Sequence, residues 1–296
     1  MPSLLDPAAI AKGEALGMIA RGIVEGYRVG EHRSPFHGFA IEFAQHREYT
    51  TGDDLRHLDW KVLGRTDRYY IKQYEQDTNF VAHLVVDGSE SMTYGSIGLT
   101  KLDYAKVLAA CLSYIVLGQS DAVSVKIFDT EVRERQERTD NRGKIHEIMH
   151  RLASFQASEQ THTAKVLQDL AATLRSRSIV VLISDMFDDE EAIQKAIERI
   201  RFQGTEVIVF HVLDPAEIDF TFTGTVKFVG MEGGPTLETS PASIRKSYLD
   251  AFNAFCKRVR VMCDRCSCHY VLCNTSVPLE ETLSEYLAFR QNHRSR

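Results

Sequence analysis

Phe80-Val81-Ala82-His83-Leu84-Val85-Val86-Asp87-Gly88-Ser89-Glu90-Ser91 is the stretch from which the fold of this 296-residue chain is read. Its first seven residues are apolar almost throughout rather than alternating. A strand of that texture is buried on both faces, as happens in a parallel sheet covered by helices. The strand then stops on a carboxylate followed by small polar residues. Similar apolar runs follow at residues 123–128, 179–184, 207–213 and 270–273, and a short charged strand is expected around Val132. Amphipathic helical stretches lie between and after them at 101–117, 144–152, 164–175, 190–201, 244–261 and 279–290. The β-α succession predicts an α/β fold: a doubly wound, mostly parallel sheet flanked by helices, Rossmann-like in layout. Residues 220–240, with Gly224, Gly230, Gly233, Gly234 and Pro235, read as an excursion of short strands and turns.

Residues 80–296 are assigned to this α/β domain. Residues 1–79 have another texture and are assigned to a small N-terminal subdomain, a helix followed by β segments at 39–43 and 69–74. Asp6 before Pro7 reads as a helix N-cap with proline in the first turn. Between the β segments Thr51-Gly52-Asp53-Asp54 marks a turn, and Asp53, Asp54, Arg56, His57 and Asp59 gather ahead of Trp60. That acid-rich stretch reads as a tight turn entering a helical segment, with an ion-pair network beneath Trp60, rather than as an acid–base site.

Composition narrows the functional classes. Hydrophobic residues at 44% supply a core, and the net charge of −6 argues against general nucleic-acid binding, which needs a cationic surface. No apolar stretch is long enough to cross a bilayer, and Asp6, Lys12 and Glu14 interrupt any export-signal pattern near the N-terminus, so a cytoplasmic location is expected. Five of six cysteines lie between Cys256 and Cys273. Cys263, Cys266, Cys268, His269 and Cys273 are dense enough to raise zinc, yet their spacing fits no standard finger or ribbon. Buried thiols explain them as well.

The chemistry-bearing stretch is Asp87-Gly88-Ser89-Glu90-Ser91. Ligands of doubly wound sheets collect beyond the carboxyl ends of the strands. There a carboxylate with hydroxyls two and four residues on can turn three oxygens toward one point. Asp185 ends a second apolar strand. Two strand-end carboxylates with hydroxyl oxygens suit a hard octahedral cation, Mg²⁺ (or Mn²⁺), far better than zinc.

Asp87-x-Ser89-x-Ser91 after a strand resembles the metal-ion-dependent adhesion site of von Willebrand factor A domains. The resemblance implies a metal shell of Asp87, Ser89, Ser91, Thr161 and Asp185, with Thr161 in the run Thr161-His162-Thr163-Ala164 and Thr163 as its rival. Glu159 and Gln160 stand where that family often has glycines. Upstream, Gly30-Glu31-His32-Arg33-Ser34-Pro35-Phe36, Glu42-Phe43, Arg47-Glu48-Tyr49, Gly52-Asp53-Asp54-Leu55-Arg56 and Leu58-Asp59-Trp60 resemble a bacterial domain-of-unknown-function family, number fifty-eight, whose members carry an A-like domain. Kinship of this kind implies a metal-dependent, non-enzymatic protein-binding module with a chaperone-like or complex-assembly role. Its partner would be a MoxR-type AAA ATPase or that ATPase's client, donating an acidic residue to the metal. The alternative is a Mg²⁺-dependent phosphohydrolase of haloacid-dehalogenase-like layout. That chemistry wants a second Asp at position 89, where Ser stands, and a positioned lysine, for which Lys165 has no matching context. No GxSxG, Walker A or GxGxxG pattern is present.

Overall fold

The computed structural model describes residues 7–28, 41–50, 59–66, 68–76, 80–157, 160–174, 178–229 and 237–292. Apolar runs form strands and amphipathic runs form helices in the expected order. The N-terminal part comprises α1 (Pro7–Arg28), β1 (Ile41–Glu48), α2 (Trp60–Thr66) and β2 (Tyr70–Gln76). Then come β3 (Val81–Asp87), α3 (Lys101–Gly118), β4 (Ala122–Phe128), β5 (Val132–Thr139), α4 (Ile145–Ser154) and α5 (Thr163–Thr173). They are followed by β6 (Ser178–Ser184), α6 (Glu190–Phe202), β7 (Glu206–Leu213), α7 (Pro215–Asp219), β8 (Val226–Phe228) and β9 (Leu237–Thr239). The chain closes with α8 (Pro241–Arg265), β10 (His269–Asn274) and α9 (Leu279–Asn292).

Six strands form one sheet in the order β10-β7-β6-β3-β4-β5. All neighbours are parallel except β4 and β5. The fold is therefore α/β with a mostly parallel sheet, as expected. From β3 the chain steps to β4 on one side and later returns to β6 on the other. That reversal opens the crevice where such sheets hold ligands. Register decides what lies there. Val86 pairs with Ile183, so Asp87 stands level with Ser184 and one step short of Asp185.

The sheet separates two apolar layers. Ala82, Leu84 and Val86 of β3 face a core shared with α3, α4 and α9, whereas Val85 faces the core of α5, α6 and α8. Helix α3 carries buried residues around its whole circumference, which fits a helix sunk in the centre of a layer. Its first turn is capped by Thr100, whose hydroxyl oxygen accepts from the Asp103 N–H at 3.0 Å.

Packing redraws the N-terminal part. Leu16, Ala20 and Val24, spaced by one helical turn, bury a stripe of α1 in the same core as α3 and α4. Burying Leu16 and Val24 contributes roughly 1.5–3 kcal/mol each. Helix α1 thus belongs by packing with the α/β layers, although it precedes residue 79. Strands β1 and β2 form their own antiparallel pair, with an irregularity between Phe43 and Gln45.

Asp59 caps α2, accepting from the Val62 N–H at 3.2 Å, which agrees with a turn entering a helix. Trp60 is 67% exposed. Asp6, Asp53, Asp54, Arg56 and His57 lie outside the described residues.

Candidate metal centre

Asp87 ends β3 with none of its surface exposed, and Ser89 and Asp185 are as completely buried. After Asp87 the chain must turn hard under Phe155, because a Cβ at position 88 would run into that ring; glycine is needed there for space. The Ser89 N–H returns to Asp87 Oδ1 at 3.0 Å, and a short 3-10 turn, Glu90–Thr93, presents Ser91. On the neighbouring strand, Met186 adopts a left-handed φ of 61° directly after Asp185. Its N–H bonds Ser184 Oγ at 2.9 Å. Such a backbone in a non-glycine residue costs about 1 kcal/mol or more and tends to persist at functional sites.

The expected residues converge. Ser89 Oγ and Ser91 Oγ lie 3.1 Å apart, and Ser91 Oγ donates to Asp185 Oδ2 at 2.9 Å. Thr161 Oγ1 lies 3.5 and 3.4 Å from the two carboxylate oxygens of Asp87. Thr163 Oγ1, the rival, lies 3.1 Å from Thr161 Oγ1. His162 is exposed; its N–H bonds the Asp129 carbonyl at 2.9 Å, as a loop residue's would.

Apart from Asp185 Oδ2, which the Lys101 ammonium already engages at 2.8 Å, the donor set suits a hard cation. An octahedral Mg²⁺ with arms of about 2.1 Å sets adjacent ligand oxygens about 3 Å apart. The Ser89 and Ser91 hydroxyls have that spacing already. Asp87 fits as well: burial, and then the nearby Asp185 charge, push its carboxyl up to about 7 against hydrogen bonds from Ser184 and Ser89. A buried pair of carboxylates is a place where a divalent charge is favoured.

Four residues that the sequence reading did not single out complete the surroundings. Ser184 Oγ donates to Asp87 Oδ2 at 2.6 Å. His211, fully buried, bonds the Asp185 carbonyl through Nε2 at 2.9 Å and Tyr270 through Nδ1 at 2.9 Å. A carbonyl only accepts, so Nε2 carries the proton; burial lowers the pKa to about 4, so the ring is neutral and Nδ1 accepts from the Tyr270 hydroxyl. Lys101 Nζ reaches Asp185 Oδ2 at 2.8 Å and Glu217 Oε1 at 2.7 Å, with 1% of its side chain exposed. Burial opposes the Lys101 charge, but Asp185 and Glu217 outweigh it and raise its pKa above the usual lysine value. Glu217 belongs to α7, where it closes a capping box with Asp214.

Beside this centre lies a cavity of about 600 Å³. Ser91, Lys101 and Glu217 form its polar end, and Phe187, Phe220 and Tyr248 part of its aromatic wall.

Two alternative sites do not assemble. The cysteines divide across the sheet: Cys263, Cys266 and Cys268 belong to the layer of α5, α6 and α8, and Cys273 to the opposite one. Among the described residues no group of three or more His, Cys, Asp or Glu side chains is arranged to hold a metal. Lys165 is exposed in the first turn of α5. The lysine that does reach the centre, Lys101, bonds Asp185 rather than the strand-end Asp87 that a phosphohydrolase would use as nucleophile.

The family model described as "Protein of unknown function DUF58" matches residues 45–256, and the chain belongs to that family. The uncharacterized protein Rv1480 of Mycobacterium tuberculosis is 26% identical over 247 residues, covering 81% of this chain and 77% of that one. Among solved structures, the conserved hypothetical protein BatB from Bacteroides thetaiotaomicron is similar at 15% identity and a TM-score of 0.49, over 72% of this chain and all of that one. The SpRpn10 VWA domain is similar at 15% identity and a TM-score of 0.39, over 69% of this chain and 94% of that one. Likeness this remote transfers no function. Among the described residues, no helix is long and apolar enough to cross a membrane.

Proposed function

We propose that this chain is a non-catalytic protein-binding module that grips its partner through a divalent cation, Mg²⁺ or Mn²⁺, held by Asp87, Ser89, Ser91, Thr161 and Asp185. The observation that carries the reading is the meeting of two strand-end aspartates and three hydroxyl-bearing side chains at the crevice of the sheet. Such a shell has few charged ligands, so the ion keeps an appetite for an outside carboxylate. An acidic side chain of the partner fills that role.

The partner we favour is a MoxR-type AAA ATPase or that ATPase's client, with the chain serving as a chaperone-like assembly factor in the cytoplasm. Family kinship, supported by the donor set, is the basis for this choice. Capture of a purified MoxR-type ATPase by the immobilised chain tests it. Retention in Mg²⁺ and release by EDTA are expected; retention indifferent to EDTA contradicts metal dependence. A robust Mg²⁺-dependent turnover of phosphoesters would overturn the non-catalytic reading.

A further inference from the structure

The Lys101 ammonium is the feature that this reading leaves unexplained. It sits at the first position of α3, yet it is almost wholly buried and bonds the metal-site aspartate Asp185 and Glu217 at once. It also lies over the Phe187 ring, 5.1 Å from the centroid. Asp185 Oδ2 is shared between Lys101 Nζ and Ser91 Oγ, and Asp185 Oδ1 accepts from the Phe187 N–H at 3.3 Å. Both oxygens of the second aspartate are thus engaged by the chain itself.

We propose that Lys101 is a built-in counter-cation that holds down the affinity of the centre for divalent metal, with Glu217 setting how strongly it does so. The inference rests on the proposed metal site. Two effects act together. The ammonium occupies an oxygen that a cation would use, and its charge repels a divalent ion at short range, which a buried position screens less than water does. Glu217 opposes both, because it shares the ammonium and draws its charge away from Asp185. The centre is consequently weak on its own and gains most when a partner's carboxylate adds the missing negative charge.

The two residues therefore act with opposite signs, which damage to packing alone would not produce. The test is titration of the full chain with Mn²⁺ alone, followed by calorimetry or by the paramagnetic signal of free Mn²⁺. Circular dichroism verifies folding of each variant. Lys101→Met is expected to bind Mn²⁺ about tenfold or more tightly than the parent, since a unit charge within a few ångströms is removed. Glu217→Gln is expected to bind it several-fold more weakly. Equal or weaker binding by Lys101→Met, or tighter binding by Glu217→Gln, overturns the proposal while leaving the metal site standing. Binding by Lys101→Met alone, with none by the parent, supports the counter-cation and refutes metal dependence in the natural chain. No binding by either defeats both. Should Lys101→Met fail to fold, the direction of the Glu217→Gln change decides.

Discussion

Ser184 Oγ donates to Asp87 Oδ2 across 2.6 Å and fastens together the carboxyl ends of the two central strands. The same hydroxyl accepts from the Met186 N–H and so holds the turn that aims Asp185. One small side chain therefore positions both aspartates.

Replacing Ser184 by Ala removes a donor from a buried carboxylate and strands a backbone N–H. A loss of about 1–3 kcal/mol is expected, from the usual cost of a buried group left without its partner. Urea denaturation measures it directly. A midpoint equal to the parent's, at unchanged slope, would show that the bond contributes nothing net.

Asp87 gives the stability a pH dependence whose sign is fixed. The ordinary Asp pKa of 3.8 is raised to about 7 in the folded chain. Below pH 4 both states hold the proton and Asp87 has no effect. Between pH 4 and 7 the unfolded chain releases it while the folded chain keeps it, so stability falls as pH rises. Above 7 the penalty is complete. Asp121, raised to about 7 by burial, adds a slope of the same sign. A divalent ion binds the ionised form and offsets only the Asp87 part. The Mg²⁺-induced increase in Tm should thus be larger at pH 8 than at pH 5, and Asp121→Asn should retain that difference. An increment independent of pH would contradict it.

Much of this arrangement is visible in the sequence, and the limit has a physical cause. Strand β3 and the Asp87-x-Ser89-x-Ser91 turn are local patterns, and so is the strand end at Asp185. A parallel sheet brings strand ends to one edge once its register is set. The Pro215–Asp219 helix was not read from the sequence, although Asp214-Pro215-Ala216-Glu217, a capping box with proline in the first turn, is a local signal that could have found it. Lys101 carried no such mark. A lysine in a first helical turn is ordinarily solvated, and this one is buried by partners 84 and 116 residues away. The packing of α1 was hidden likewise: its apolar stripe shows that it packs, but not against what.

The threonine loop offers a direct comparison. Thr161 Oγ1 faces both oxygens of Asp87, whereas Thr163 Oγ1 contacts Thr161. Thr161→Val should abolish Mn²⁺ binding in the titration. Thr163→Val should mainly lower stability, by about 1 kcal/mol for a buried hydrogen bond. The reverse pattern would make Thr163 the ligand.

The cysteines should behave as core residues. Burial pushes the Cys263 thiol up to about 12 and raises the Cys268 and Cys273 thiols above their ordinary value. Thiols of that kind react slowly, since the thiolate is the nucleophile. Labelling by a disulfide reagent should be slow for these three until the chain is unfolded, and metal analysis should find no stoichiometric zinc. One bound zinc per chain would reverse the assignment.

Calorimetric titration of Mg²⁺ into the parent chain and into Asp87→Ala bears most directly on the metal centre. Saturable binding of one ion per parent chain is expected, lost in a variant whose circular dichroism still reports the native fold. Equal affinity in the folded variant would contradict the assignment of the centre to these residues.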